Sequence, residues 1–361
     1  MKAAVLRSFG SPLVLEDLEI DSPAPLEVRI ETKACGVCHS DLSCAEGKLD
    51  LRIPTVLGHE PAGIVREVGS SVTHVRPGDH VIGCLSAFCG DCDFCRHGKP
   101  SLCGGRGTLR PRDAAPRLRA GEEPIRQFQH LSAFAEQMLV HENAIVKIRE
   151  DMPLDRAALV GCGVTTGLGA ALNTAQVRPG DSCVVIACGG VGLAAIQGCR
   201  IAGASRIVAV DTSDSKLALA QKLGATHGLL ASSDHLLDEI REITNGGADH
   251  AIECIGTIKT CDLAFAAIRK GGNCVIVGIA ASGETWPIPA SDLPFTGKRI
   301  LGSVMGDNRF RIDIPRYIDF YMQGTLLLDE MISARIPLDR VNDALEDLKR
   351  GEGARQVITF D

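Results

Sequence analysis

The sequence predicts an α/β protein in which a β-rich N-terminal domain precedes a doubly wound parallel sheet. Three observations lead to this prediction. The 361 residues suffice for about two domains. Short strand-like runs broken by turns fill the first part of the chain, and strands alternate with helical segments after about residue 164. Hydrophobic residues make up 45% of the chain and charged residues 23%, as is typical of a folded globular protein.

The N-terminal region contains short β-type runs at 3–6, 27–31 and 63–68. Residues 104–124 differ because they are rich in arginine, proline and glycine, and we expect them to form one long surface loop. In the remainder of the chain the expected strands are 182–187, 206–211, 250–254, 273–278 and 356–360, and the expected helices are 192–202, 214–223 and 341–350.

The charge balance excludes two classes of partner. A net charge of −7 leaves no electrostatic footprint for nucleic acid or an anionic membrane, and we expect neither. The uncharged stretches 157–177 and 182–199 are long enough to span a membrane. Both are rich in glycine and carry amide or hydroxyl side chains, so we expect buried segments of the α/β core instead. The N-terminus does not resemble a signal peptide.

Fifteen cysteines favour metal ligation and buried thiols in a reducing compartment over a disulfide scaffold. Cys89, Cys92, Cys95 and Cys103 have the spacing C-x2-C-x2-C-x7-C. Four thiolates so close together can surround one Zn²⁺ tetrahedrally and leave no open position, which predicts a structural zinc site. An iron–sulfur cluster, which also uses four thiolates, is the alternative.

A glycine-rich turn follows the first strand of the βα region. Gly189 and Gly192 match the last two glycines of G-x-G-x-x-G, whereas Ala187 holds the first position. With a strand before it, a helix after it and Asp211 ending the next strand, the turn predicts a dinucleotide site. Asp211 suits the ribose hydroxyls and would repel a 2′-phosphate, so NAD is favoured over NADP. We assign the pyrophosphate to the helix-start residues Gly189, Gly190, Val191 and Gly192. A helix packed on a strand without a ligand is the alternative.

A second metal site is suggested by three scattered residues. Cys38, His59 and Cys162 would give a Cys2His set with the fourth position open, which is the arrangement of a catalytic zinc in a dehydrogenase. Their spacing alone does not select them, because fifteen cysteines offer many combinations. The alternative is that His59 is a buried structural residue that binds no metal.

Several motifs occur together and in order along the chain. They are GVCHSD at 36–41, GHEPAGIV at 58–65, VRPGDHV at 75–81, the four-cysteine segment, GCGVTTG at 161–167, CGGVG at 188–192 and ARQVITF at 354–360. Through them the chain resembles the zinc-dependent alcohol dehydrogenases of the medium-chain dehydrogenase/reductase superfamily over essentially its whole length. The resemblance implies a GroES-like catalytic domain at 1–163 with a structural zinc lobe at 89–103, a Rossmann NAD-binding domain at 164–304, a return to the catalytic domain at 305–361, and a substrate cleft between the domains.

The resemblance also implies roles for single residues. Cys38, His59 and Cys162 would ligate a catalytic zinc, with Glu60 beside the metal. Asp41 would hold the ligand histidine, and Ser40 would take the substrate proton. The implied cofactor contacts are His39, Thr166, Asp211, Lys216, Val277 and Arg355. Two residues depart from the family pattern: Ser43 stands where longer-chain members often carry the histidine that ends the proton relay, and Ala187 replaces a glycine.

The implied activity is reversible oxidation of an alcohol to an aldehyde or ketone, with hydride transfer to NAD and two zinc ions per chain. Candidate pocket residues are Leu49, Leu85, Phe128, Ile279 and Val304. They favour a primary alcohol with an apolar or aromatic tail, unless they are simply core residues. We expect a cytoplasmic homodimer, with a tetramer as the alternative.

Three other functions stay open at this point. The first is a formaldehyde dehydrogenase that acts on the glutathione adduct, because Arg110 and Arg112 in the long loop could bind the carboxylate of that adduct. The alternative interpretation is that these arginines only form a solvated loop surface. Reduction of the C=C bond of an enal is the second. A non-catalytic protein on the same scaffold is the third, since fold does not guarantee activity.

Overall fold

The computed structural model describes residues 1–49, 51–105, 109, 115–281, 283–351 and 353–360. The chain divides into two compact units. The first contains the described residues of Met1–Cys162, Arg309–Gln323 and Met331–Asp361, and the second contains those of Gly163–Asn308 and Gly324–Glu330.

The elements are numbered in chain order. The strands are β1 (Lys2–Leu6), β2 (Val14–Asp17), β3 (Glu19–Ile20), β4 (Glu27–Gly36), β5 (Thr55–Val56), β6 (Glu60–Val68), β7 (His80–Gly83), β8 (Leu118–Ala120), β9 (Glu123–Gln127), β10 (Gln137–His141), β11 (Ile145–Lys147), β12 (Ser182–Ile186), β13 (Arg206–Asp211), β14 (His227–Leu230), β15 (Ala248–Glu253), β16 (Ile268–Ile276), β17 (Arg299–Gly302), β18 (Ile332–Ile336) and β19 (Arg355–Thr359). The helices are α1 (His39–Ala45), α2 (Asp93–Arg96), α3 (Leu154–Ala175), α4 (Gly190–Ile201), α5 (Asp214–Lys222), α6 (Leu236–Ile243), α7 (Ile258–Ala267), α8 (Asp292–Thr296), α9 (Phe310–Met322) and α10 (Val341–Arg350).

The first unit is built from two β-sheets around one apolar core. The strand orders are β2-β1-β5-β9-β8-β3 and β11-β7-β6-β4-β19-β18, and β10 also pairs with β4. Leu6, Ile30, Leu57 and Phe134 are fully buried in this core. Burial of each such side chain contributes about 1.5–3 kcal/mol to folding, so this core stabilises the β-rich unit.

The second unit is a six-stranded sheet with the order β14-β13-β12-β15-β16-β17. Every pairing in it is parallel. The central strand β12, with the sequence SCVVI, is buried along its whole length, as expected of a strand covered on both faces. This order is that of the dinucleotide-binding fold and confirms the predicted doubly wound sheet.

Helix α3 is long and apolar enough to cross a membrane by length and composition, but 83% of its most apolar stretch is buried inside the protein. It is therefore a core helix, as predicted. Two parts of it, Val160–Val164 and Ala170–Ala175, are wound as π-helix. Such widened turns are frequent at functional sites, and Cys162 lies in the first of them.

The predicted surface loop at 104–124 requires a correction, because it contains β8 and the start of β9. Leu118 is 1% exposed and pairs with Ile125 in an antiparallel hairpin. The apolar side chain at 118 supplies core area that outweighs the polar composition around it. Arg110 and Arg112 lie outside the described residues.

The predicted domain limits also differ from the observed division. The sequence assigns the whole of 305–361 to the catalytic domain, whereas residues 305–308 and 324–330 pack with the second unit. The physical reason for 324–330 is a pair of hydrogen bonds from one side chain. The Gln197 amide accepts from the Leu327 N–H at 2.7 Å and donates to the Leu327 carbonyl at 3.0 Å.

Candidate metal centres and nucleotide-binding turn

A buried set of four metal-donor side chains lies where β4, β6 and α3 meet. The donor atoms of Cys38, His59, Glu60 and Cys162 all lie within 4.8 Å of one another, and all four residues are buried. The antiparallel register sets Gly36 at the end of β4 opposite Glu60 at the start of β6. This pairing brings the segments of Cys38 and His59 together, and the π-type turn of α3 adds Cys162.

One carboxylate organises this set. Asp41 Oδ2 accepts from the Cys38 N–H at 3.2 Å, and Oδ1 accepts from the Gly58 N–H at 3.1 Å. Asp41 Oδ1 also lies 3.0 Å from His59 Nδ1, and both side chains are fully buried. Because a carboxylate only accepts, His59 Nδ1 donates a proton to it, and Nε2 is the nitrogen that a metal can bind.

Within the described part of the chain, two donor atoms of this set lack the hydrogen bonds that a purely structural role would require. His59 Nε2 and Glu60 Oε1 are buried and have no hydrogen-bond partner there. Buried polar atoms are nearly always partnered, so these two indicate a missing ligand. Two sulfurs and one imidazole nitrogen are the donors that zinc prefers, and the residues therefore fit a zinc ion.

Glu60 is neutralised from the other side. The Arg355 guanidinium is 5% exposed and donates to Glu60 Oε2. A Cβ atom at Gly36 would stand 2.1 Å from the same oxygen, so a larger residue there would displace the Glu60 carboxylate. Arg355 was predicted as a cofactor contact; the structure pairs it with Glu60, and the cofactor role stays a prediction.

The electrostatics of the buried cluster favour one thiolate. The hydrogen bond from Cys162 lowers the pKa of Cys38 well below its usual value, and the neighbouring His59 lowers it further. Conversely, the same interaction together with burial raises the pKa of Cys162. Burial lowers the pKa of His59, but the charge and hydrogen bond of Asp41 outweigh this and raise it to about 10. A zinc ion would replace the protons that these groups share.

The residues predicted beside the open position lie in the first turn of α1. His39 is exposed, Ser40 is half-buried, and Ser43 occupies the next turn. Asp41 caps this helix by accepting from the Cys38 N–H. The cap holds the first turn, and with it Ser40, next to the metal donor Cys38. The role of Ser40 as proton acceptor stays a prediction.

The four cysteines of the predicted lobe converge. The Sγ atom of Cys92 lies 3.6 Å from that of Cys95 and 3.8 Å from that of Cys103, and Cys103 lies 3.6 Å from Cys89. Sulfurs at the corners of a zinc tetrahedron with Zn–S bonds of about 2.3 Å are about 3.8 Å apart, so the cluster fits zinc. Backbone N–H groups that point at the sulfur, the Cys95 N–H foremost, lower the pKa of Cys92 to about 6 and favour the thiolate that binds metal.

The nucleotide-binding turn is held by Asp211 at the end of β13. Asp211 Oδ2 accepts from the Cys188 N–H at 2.7 Å, and Oδ1 accepts from the Ser213 N–H at 3.1 Å. The carboxylate is therefore fixed beside the carboxyl end of β12, where a parallel sheet of this order binds dinucleotides.

One glycine of this turn, Gly192, is required for close packing. A Cβ atom at Gly192 would stand 1.8 Å from the Ala187 carbonyl oxygen. Gly189 is the N-cap of α4, and Gly190 and Val191 form its first turn, where free N–H groups attract a phosphate. Ala187 has a φ of 77°, in the left-handed region that a glycine would adopt without strain.

The remaining predicted cofactor residues all lie in the second unit. The Thr166 hydroxyl is 3.4 Å from Met305 Sδ, and the Val277 N–H donates to the Glu253 carbonyl at 2.9 Å. Lys216 lies in the first turn of α5 and is half-buried.

The predicted pocket residues fall into two groups. Leu49 and Leu85 pack against the core of the first unit, and Phe128 is 4% exposed in that core. Ile279 and Val304 belong to the second unit and are 71% and 47% exposed. Sequence reasoning missed the Arg355–Glu60 pair, for which no local signal exists because the two residues are 295 positions apart.

Comparison with known proteins gives the same assignment as the geometry. Residues 24–150 match the alcohol dehydrogenase GroES-like domain, and residues 190–322 match the zinc-binding dehydrogenase family. The chain is 38% identical to alcohol dehydrogenase class-3 of Drosophila melanogaster, covering 99% of this chain and 97% of the relative. It belongs to the zinc-dependent alcohol dehydrogenases of the medium-chain dehydrogenase/reductase superfamily.

Two further relatives extend this comparison of the alcohol dehydrogenase. The chain is 40% identical to S-(hydroxymethyl)glutathione dehydrogenase of Saccharomyces cerevisiae, covering 99% of this chain and 96% of that protein. The crystal structure of benzyl alcohol dehydrogenase from Acinetobacter calcoaceticus superposes with a TM-score of 0.95 at 33% identity, covering 100% of this chain and 99% of that chain. The alcohol dehydrogenase is therefore an oxidoreductase that uses zinc and a nicotinamide cofactor, and its substrates are small alcohols and aldehydes.

Proposed function

We propose that this alcohol dehydrogenase reversibly oxidises primary alcohols that carry an apolar or aromatic tail, with NAD rather than NADP. The observation that carries this proposal is the buried Cys38, His59 and Cys162 donor set, with an imidazole nitrogen that has no protein partner among the described residues. Three donors leave a tetrahedral ion one position for substrate. Bound zinc supplies polarisation of the alcohol or carbonyl oxygen, and bound NAD supplies the hydride acceptor.

The chain's own residues orient the metal ligands and take up the substrate proton. Asp41 keeps His59 Nδ1 protonated and so directs Nε2 towards the metal position. Arg355 holds the Glu60 carboxylate beside that position and balances its charge. Ser40 accepts the substrate hydroxyl proton, and because Ser43 offers no imidazole, the proton leaves to water.

The preference for NAD follows from Asp211. Its carboxylate, held by two backbone N–H groups, accepts hydrogen bonds from the ribose hydroxyls of adenosine. A 2′-phosphate at that place would meet a like charge. We expect kcat/KM to be at least about 10-fold higher with NAD than with NADP. Asp211→Ser should narrow that ratio; an unchanged ratio would refute the assignment of Asp211.

The substrate class is tested by a panel of alcohols. One relative is named for benzyl alcohol, and another for S-(hydroxymethyl)glutathione, which is the second candidate substrate. We expect kcat/KM to be highest for benzyl alcohol or 1-hexanol. A highest value for S-(hydroxymethyl)glutathione would favour the second candidate. With an enal and NADH, an allylic alcohol is the expected product; a saturated aldehyde would overturn the proposal.

We infer a homodimer from the second unit. Its edge strand β17 ends the sheet order, and no strand pairs with its outer side among the described residues. Nearby in sequence, Ile279 and Phe295 are 71% and 83% exposed, and we propose that a second copy of the chain covers these apolar side chains. Sedimentation should give a dimer for the native chain and a monomer for Phe295→Glu; a native monomer would overturn the inference. None of the fifteen cysteines forms a disulfide bond, which suits the reducing cytoplasm we propose as the compartment of the protein.

A further inference from the structure

The turn that follows β9 has an unusual backbone. Gln129, His130 and Ser132 have φ values of 51°, 62° and 64°, and none of them is a glycine. A side chain in the left-handed region is strained, because its Cβ atom lies too close to the following carbonyl oxygen. Three such residues among four positions persist only where the surroundings hold them, and such strain concentrates at functional sites.

The surroundings that hold this turn are the three residues immediately before His59. Ser132 Oγ accepts from the Phe128 N–H at 2.7 Å and donates to the Val56 carbonyl at 2.9 Å. The next two residues continue the contact along the chain. The Phe134 N–H donates to the Leu57 carbonyl at 3.0 Å, and the Ala133 N–H donates to the Gly58 carbonyl at 2.9 Å.

The approach of the two segments is close. Gly58 has a φ of 86°, and a Cβ atom there would stand 2.5 Å from the Phe134 nitrogen. This turn therefore holds the backbone before His59 on one side. On the other side Asp41 holds it, because Asp41 accepts from the Gly58 N–H. Neither side leaves the chain room to shift.

The turn also places an aromatic ring on the imidazole. The centroids of Phe128 and His59 are 5.6 Å apart, and their planes meet at 82°, an edge-to-face contact between two buried rings. Such a contact is favourable and has a defined geometry. Asp41 decides which nitrogen of His59 carries the proton, but one hydrogen bond leaves the ring free to tilt about it. Phe128 removes that freedom.

We propose that Phe128 and Ser132 are positioning residues for His59, with the strained turn holding the Phe128 ring against the imidazole in the plane that directs Nε2 at the metal position. This inference rests on the proposed ligation of zinc by His59. Residues that orient a ligand histidine typically change metal affinity 10–100-fold when they are replaced. A residue that only fills the core would change stability and leave the metal site alone.

The experiment follows metal release as well as stability. Zinc transfer from the native enzyme to a colorimetric chelator is recorded, and the phase that Cys162→Ala lacks is assigned to the His59 site. We expect Phe128→Leu and Ser132→Ala to release this zinc about 10-fold faster. In cobalt-substituted enzyme, we expect both variants to shift the visible bands of the ion at this site.

Two matched controls separate positioning from packing. Phe310→Leu removes a ring that is 1% exposed and makes a comparable edge contact, with Phe88 instead of His59, at a centroid distance of 5.7 Å. Thr55→Val removes a buried hydroxyl that donates to the Arg126 carbonyl at 3.1 Å. Both should lower thermal stability and leave zinc release and the cobalt bands at native values.

A third variant keeps the test decisive if a core substitution fails to fold. Gln129 is exposed, and Gln129→Gly relieves a positive φ while loosening the turn. We expect unchanged or higher thermal stability together with faster zinc release, a combination that a packing role does not produce. If Phe128→Leu and Gln129→Gly release zinc at the same rate as the controls, the positioning role is wrong, whereas the proposed ligation by His59 still stands. A native enzyme with no more zinc than Cys162→Ala would overturn the proposed ligation and this inference together.

Discussion

Asp41 Oδ1 lies 3.0 Å from His59 Nδ1, and neither side chain is exposed to solvent. The other oxygen of the same carboxylate accepts from the Cys38 N–H. A single buried group thus supports two of the three proposed zinc ligands. We expect Asp41→Asn to weaken zinc binding about 10–100-fold, because the amide presents N–H where the Cys38 N–H needs an acceptor.

Competition with a chelator of known affinity measures this effect. Asp313→Asn is the matched control, since Asp313 is also fully buried and accepts a backbone N–H, from Arg309 at 2.7 Å. Loss of zinc affinity in Asp313→Asn equal to that in Asp41→Asn would mean that general loosening of the fold, and not ligand orientation, explains the result.

The two zinc sites should separate by mutation. Cys162 belongs to the buried donor set, and Cys95 belongs to the four-cysteine lobe, so each variant should lose one of about two zinc ions. We expect Cys162→Ala to abolish turnover with little change in fold, whereas Cys95→Ser should retain the catalytic metal and unfold at a lower temperature. Zinc per chain by atomic emission, turnover and thermal melting are measured together. Full activity of Cys162→Ala would contradict the assignment.

Acid should destabilise the first unit through His74. Burial lowers the pKa of His74, and the positive charge of Arg311 lowers it further, against the opposing effect of Glu142. The neutral ring is fixed on both sides, with Nδ1 2.9 Å from Glu142 Oε2 and Nε2 3.0 Å from an Arg311 nitrogen. His141 close by also has a lowered pKa, chiefly because of burial.

The direction of the pH effect follows from these shifts. Because the folded pKa lies below the unfolded value, the unfolded state takes up the proton first, and stability falls as the pH drops below about 6.5. We expect the melting temperature to decrease from pH 7 to pH 5. In His74→Gln the number of protons taken up on unfolding should be smaller by about one, so the decrease should be shallower. An identical pH dependence in the variant would exclude His74 as a contributor.

The sequence identified those features that depend on local pattern. Strand β13 and helix α10 have the predicted limits, because alternation and amphipathic spacing are local. Helix α4 begins at Gly190, two residues before the predicted start, since glycine gives no signal of where a helix begins. The four-cysteine lobe was likewise predicted from spacing alone and converges as expected.

Features that join distant parts of the chain were not predictable in this way. The pairing of Arg355 with Glu60 depends on the register of β19 and β6 against β4. The hold of Gln197 on Leu327, which draws 324–330 into the second unit, connects residues 130 positions apart. The turn at Phe128 contains no glycine to mark its left-handed backbone. In each case the tertiary structure overrides what the neighbouring residues favour.

The nucleotide-binding turn offers a stabilising substitution. Ala187 has a φ of 77° at a position where the motif calls for glycine, and its N–H donates to the Val210 carbonyl at 2.8 Å. Relief of the Cβ strain is worth about 1–2 kcal/mol, and the greater freedom of glycine in the unfolded chain offsets about 0.4–1 kcal/mol of it. We expect Ala187→Gly to raise the free energy of unfolding by about 0.5–1 kcal/mol.

Ala202→Gly is the control. Ala202 has a φ of −70° at the end of α4, so glycine there relieves no strain and should destabilise the protein. Urea denaturation of both variants measures the difference, and equal destabilisation would mean that the backbone at 187 is not strained in solution.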